Sequence, residues 1–146
     1  MKSGFKAAAI SFTLVILSST LAGSADHLAL NTNSCDGSAE KRRCLDYLEQ
    51  LRAEWPKALK GDYLATRSIS FCYMSGCKGA ITPDIVSACG WMLVTLATPL
   101  KDATDRRAYR ENCEGLSPEQ RQAGVAFGEG LSHKIFGKPL APLPRL

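Results

Sequence analysis

The chain has 146 residues, 45% of them hydrophobic and 22% charged, with a formal net charge of +4. That is enough chain for one domain with an ordinary core and too little for two comfortable ones. So weak a positive balance offers no charge-driven case for nucleic acid or for an anionic membrane surface.

Residues 1–25 read as a secretory signal. Lys2 and Lys6 give a positive start, Ala7 to Leu17 form an apolar core short of the ~20 residues needed to span a bilayer, and the small residues Gly23 and Ala25 mark a cut after Ala25. The leader takes two lysines and no acid with it, so 121 residues and a net charge of +2 remain, with no stable membrane insertion expected. Residues 26–37 are polar and aperiodic and read as a flexible N-terminal arm. A single helical domain is expected over residues 38–137 and a mobile proline-rich tail over 138–146.

The first helix is expected from Ser38 as cap, with Cys44, Leu45, Leu48, Leu51 and Trp55 forming one apolar stripe. Pro56 predicts a break near Trp55. Lys41, Arg42 and Arg43, flanked by Glu40 and Asp46, read as a solvated face. A second helix begins after Asp62, buries Leu64, Ile69, Cys72 and Tyr73, and ends at Gly76. The third takes Thr82 as cap and Pro83 as its first residue, with Ile85, Ala88, Cys89, Met92, Leu93 and Leu96 at helical spacing, and closes at Pro99. A short polar helix follows over 102–113. Ser117, Pro118 and Gln120 then open a fifth with a capping-box signature, and Gly137 ends it. No alternating apolar run is long enough for a strand, so the fold class is all-α, built of antiparallel helix hairpins.

All six cysteines lie beyond the leader: Cys35, Cys44, Cys72, Cys77, Cys89 and Cys113. In an exported chain an even count reads as three disulfides, with a periplasmic or secreted location. Zinc is disfavoured: Cys72 and Cys77 have C-x4-C spacing but no second pair, and the two histidines, His27 and His133, are far apart in sequence. Neither C-x-x-C nor any serine-nucleophile motif occurs, so no catalytic residue, metal or cofactor is nominated.

Residues 60–98 resemble a Sel-one-like repeat, a relative of the tetratricopeptide repeat. Gly61, Asp62, Ala65, Tyr73 and Gly76 match the first helix of that unit, and Asp84, Ala88 and Trp91 match the second. Ile69 takes a leucine position and Ser70 a glycine position. The loop from Gly76 to Asp84 is about two residues longer than the unit has, and the basic end of the second helix is replaced by "LVTLATP". The resemblance implies a short, disulfide-stapled solenoid that acts as an adaptor binding a protein or an envelope component, without a shared catalytic residue. Asp62, Arg67 and Asp84 are expected to shape the hairpin, and Arg106, Arg107 and Arg110 to offer a partner-contact strip. The alternative is a weak cell-wall or beta-lactam hydrolase, which rests on analogy among cysteine-rich relatives alone.

In an antiparallel hairpin centred near residue 80, facing residues have numbers summing to about 160. Cys72 and Cys89 meet that condition, which leaves Cys77 for Cys113 and Cys35 for Cys44. The rival pairing of Cys89 with Cys113 stays open at this point.

Overall fold

The structure, a computed structural model, describes residues 29–141. Among these residues there is no strand. Five α-helices follow one another: α1 (Lys41–Ala58), α2 (Tyr63–Ser75), α3 (Ile85–Ala97), α4 (Ala103–Tyr109) and α5 (Pro118–Phe136). A 3-10 turn, Cys77–Gly79, follows α2, and a π turn, Arg110–Glu114, continues α4. The expected leader, its cut after Ala25 and the end of the tail lie outside the described residues.

Helix α1 starts two residues later than its sequence suggests. Ser38 does not cap it: the Ser38 hydroxyl donates to the Lys78 carbonyl at 2.8 Å and accepts from the Glu40 N–H. The expected break at Trp55 is also absent, and the helix runs through Pro56 to Ala58. Proline so close to a helix end removes only its own bond to the exposed Arg52, and Leu59 already donates to the Trp55 carbonyl at 3.0 Å. Cys44, Leu48 and Leu51 are buried in one row, while Leu45, one residue further around the cylinder, is 47% exposed rather than in the core.

Helix α2 begins as expected, with the Asp62 carboxylate accepting from the Ala65 N–H at 2.9 Å, and ends at Gly76 in the left-handed region, φ 75°. Ala65, Ile69, Cys72 and Tyr73 are buried; Leu64, expected among them, is 67% exposed. The cap of α3 is Asp84, not Thr82, and Pro83 stays outside the helix. Asp84 accepts from the N–H groups of Val86 and Ser87 at 3.0 and 3.3 Å, while its own N–H, which a cap at Thr82 would need, donates to the Tyr73 carbonyl at 2.8 Å. Thr82 instead donates to the Asn33 side chain at 3.2 Å. The Ser117 capping box of α5 forms as its sequence predicts.

Two contacts fix the direction of the α2–α3 pair. The Asp84 N–H at the start of α3 donates to the Tyr73 carbonyl near the end of α2, and Thr95 near the end of α3 donates to Thr66 near the start of α2. The helices are therefore antiparallel, at the level expected for a hairpin centred near residue 80. Helix α5, by contrast, runs in the same direction as α3. Gly124 lies beside Val86 and Cys89, and Gly128 beside Gly90 and Leu93, so the two helices advance together. Where they cross there are glycines on both sides, which lets the backbones approach more closely than any Cβ would permit. Trp91 is fully buried and meets Trp55 of α1 edge-on, with ring centroids 5.4 Å apart.

The six cysteines form three disulfides among the described residues. Cys35–Cys44 is the expected staple of the arm onto α1. The pairing of Cys72 with Cys89, and of Cys77 with Cys113, is overturned: Cys72 bonds Cys77, and Cys89 bonds Cys113. The hairpin arithmetic places residues at the right level but says nothing of their direction around the helix axis. Thr95 faces α2, and Ala88, seven residues earlier, shares its row; Cys89 is turned one step onward and lies against Gly124 of α5. Cys77, meanwhile, is swung back by the left-handed Gly76 until its Cα stands 4.9 Å from that of Cys72.

The segment read as a loose arm is bonded to the α2–α3 loop from Asn33 onward. Its backbone N–H donates to the Ala80 carbonyl at 2.9 Å and its side-chain amide to the Gly79 carbonyl at 3.2 Å. Glu40 pairs with Lys78 at 2.8 Å, and this bond holds its carboxyl below the usual range. These contacts surround Cys77 and Lys78, two residues with side chains held at positive φ, 42° and 59°. Such backbone persists only where neighbours enforce it.

Candidate partner-binding site

The neighbouring faces of α1 and α2 enclose a shallow groove of about 430 Å³. Helix α1 contributes Tyr47, Gln50 and Glu54, and α2 contributes Leu64, Arg67 and Phe71. The α2 residues arrive there through its periodicity. The buried row runs through Ala65, Ile69, Cys72 and Tyr73, so Leu64 and Phe71, seven residues apart, share the flank left over. Leu64 is 67% and Phe71 53% exposed, which makes them the most exposed apolar side chains of this helix. Gln50 donates to Glu54 at 3.1 Å, while the second Glu54 oxygen is buried without a hydrogen-bond partner.

Behind the groove lies a polar junction that sequence reading missed. Asp105 of α4 is buried, and its carboxylate collects the Arg67 guanidinium at 3.1 Å, the Tyr63 hydroxyl at 2.8 Å and the Asp102 N–H at 2.9 Å. Arg67 also donates to the Tyr63 hydroxyl at 3.1 Å and lies over its ring. Burial, followed by the bond to Asp105, pushes the Tyr63 hydroxyl above the usual tyrosine value, so it remains a donor. Arg67 was expected to shape the α2–α3 hairpin; it joins α2 to α4 instead. Asp105→Ala is expected to lower stability by about 1 to 2 kcal/mol, because the partly buried Tyr63 hydroxyl and the Asp102 N–H lose their common acceptor while half-exposed Arg67 regains water. Chemical denaturation of the variant beside the parent measures it.

The other nominated residues fall in several places. Asp62 and Asp84 are helix caps, Ala65 and Ala88 are buried between helices, and Gly61 and Gly76 occupy positive φ. Tyr73 and Trp91 are core residues. Arg106, Arg107 and Arg110 follow one another on α4 and the π turn: Arg106 is half-buried, Arg107 approaches Glu111 at 3.7 Å, and Arg110 is exposed. His133 is exposed in the last turn of α5, and His27 lies outside the described residues. Among the described residues no three metal-ligating side chains gather, and no cysteine is free. The serine hydroxyls of Ser70, Ser75, Ser87 and Ser132 each bond a nearby carbonyl or carboxylate.

Fold and site together define a disulfide-stapled all-α protein. Three formed disulfides are the usage of a chain outside the reducing cytoplasm. Among the described residues no helix is long and apolar enough to cross a membrane. No family model matches the chain, and no curated protein or solved structure shows significant similarity to it.

Proposed function

We propose that the chain is an exported adaptor of the Sel-one-like repeat kind, periplasmic or secreted, that binds a partner protein through the α1–α2 groove. The observation supporting this reading is the pair Leu64 and Phe71, two large apolar side chains left in water on one flank of a helix whose opposite row is fully used by the core. Exposed apolar groups gathered beside a groove are the usual mark of a contact surface. The Glu40–Lys78 pair ties the start of α1 to the loop that follows α2, and the Asp105 junction ties α2 to α4, so the groove is largely shaped before a partner arrives, which lowers the ordering cost of binding. Arg106, Arg107 and Arg110 lie on α4 and the π turn and line no part of this groove, so they carry none of this reading.

Crosslinking in envelope extracts tests it. The parent chain is expected to capture a discrete partner that the Leu64→Asp/Phe71→Asp variant loses, with the unfolding transition of the variant unchanged. A partner retained by that variant, or none captured above a chain with scrambled surface residues, refutes it.

A further inference from the structure

A second cavity lies away from the groove, between the C-terminal half of α3 and α5, with a volume of about 770 Å³. We propose that it binds a single-chain amphiphile with an anionic head, a fatty-acid-like monocarboxylate. This inference stands independently of the adaptor reading.

The cavity arises from the way the chain turns back on itself. After the left-handed Gly137, the Lys138 carbonyl is pinned by the buried Ser132 hydroxyl at 2.8 Å. Residues 138–141 then pass over the space between the two helices and supply one wall, while Leu93, Leu96 and Val125 supply the others. The space persists with this segment in place, so the segment is a wall and not the occupant. Its size falls within the ~300 to 1,000 Å³ of small-molecule sites.

The chemistry of the lining selects the ligand. Leu93, Leu96, Val125 and Leu140 are aliphatic, and among the described residues no aromatic side chain lines the cavity to stack a flat ring. Among the described residues the charged groups of the lining are Lys101, Lys138 and Glu129, two ammonium groups against one carboxylate. Asp102, next to Lys101, is turned away to cap the Thr104 and Asp105 N–H groups. Lys101 donates to the Thr98 carbonyl at 3.2 Å, which keeps its stem along α3 beside the cavity. An alkyl chain is thereby matched to the walls and a carboxylate to the excess positive charge.

Titration calorimetry with dodecanoate, below its micelle threshold and with the three disulfides intact, tests the proposal. Dodecanoate is expected to bind in the micromolar range and dodecanol about tenfold more weakly, for want of the charge contact. The Lys101→Glu/Lys138→Glu variant is expected to weaken dodecanoate about tenfold and to favour dodecyltrimethylammonium. Val125→Glu, which places a carboxylate in the wall, is expected to abolish dodecanoate binding. If that variant shifts the unfolding midpoint, the lysine pair decides alone. No binding heat, equal affinity for dodecanol, or dodecanoate affinity unchanged in the lysine variant overturns the proposal.

Discussion

Serine at both Cys89 and Cys113 is expected to lower stability by about 3 to 4 kcal/mol, the largest effect of any single cross-link removal in this chain. This bridge closes a loop with a sequence separation of 24, whereas Cys72–Cys77 spans a separation of 5 and Cys35–Cys44 one of 9. In the chain-entropy account the cost of the open loop rises with the logarithm of its length, so removal of Cys72–Cys77 is expected to cost about 2 kcal/mol. Cys89–Cys113 also anchors the π turn, and through it the start of α5, beside α3. Guanidinium unfolding of the two double-serine variants, without reductant, measures both losses. An order reversed between them means that native-state packing around Cys72 and Cys77, rather than loop closure, sets their worth.

The next largest effect is expected from Gly90→Val, at about 3 kcal/mol or more. A Cβ at position 90 stands 3.1 Å from both the Gly124 carbonyl oxygen and the Gly128 nitrogen, and closer still to the Phe127 ring. Phe127 can rotate away, but the two backbone atoms belong to a helix and cannot yield unless α5 moves as a whole. Valine adds two methyl groups at the same point. Gly115→Ala provides the control: nothing lies within 4 Å of a Cβ there and its φ is −79°, so its stability is expected to change by less than about 0.5 kcal/mol. A small loss for Gly90→Val, measured by thermal unfolding, would show that α3 and α5 are free to separate without cost.

Much of the fold was legible because its signals are local. Asp62, Ser117, Gly76 and Gly137 each set a helix end through their own backbone chemistry, and the structure has them in those roles. Where two local signals compete, sequence reading fails: Thr82 and Asp84 both offer a cap, and the choice follows from the Tyr73 carbonyl of the preceding helix, which takes the Asp84 N–H. Long-range features were less accessible. Asp105 reads as one more acid in a polar helix, and nothing adjacent to it announces Arg67 or Tyr63, which come from forty positions earlier. A signal for the α3–α5 contact was present and overlooked, since Gly124 and Gly128 stand one turn apart in an otherwise helical stretch, a spacing that lets two helices touch. The candidate groove was hidden for a related reason. Helical spacing reads Leu64 into the core with Ile69, Cys72 and Tyr73, yet it stands one position off the buried row of Ala65, Ile69 and Cys72 and so falls on the exposed flank.

The direction in which Cys89 points has a consequence for how the chain acquires its bridges. Cys72 and Cys89 stand at the same height on adjacent antiparallel helices, so they are the pair that oxidation blind to side-chain direction would join. A bridge formed there is non-native, and thiol–disulfide exchange undoes such a bond on a scale of about seconds to hours. The Cys72–Cys77 bond occupies the competing thiol with a partner five residues away and leaves Cys89 to Cys113. The smallest ring in the molecule thus guards the pairing that closes the largest.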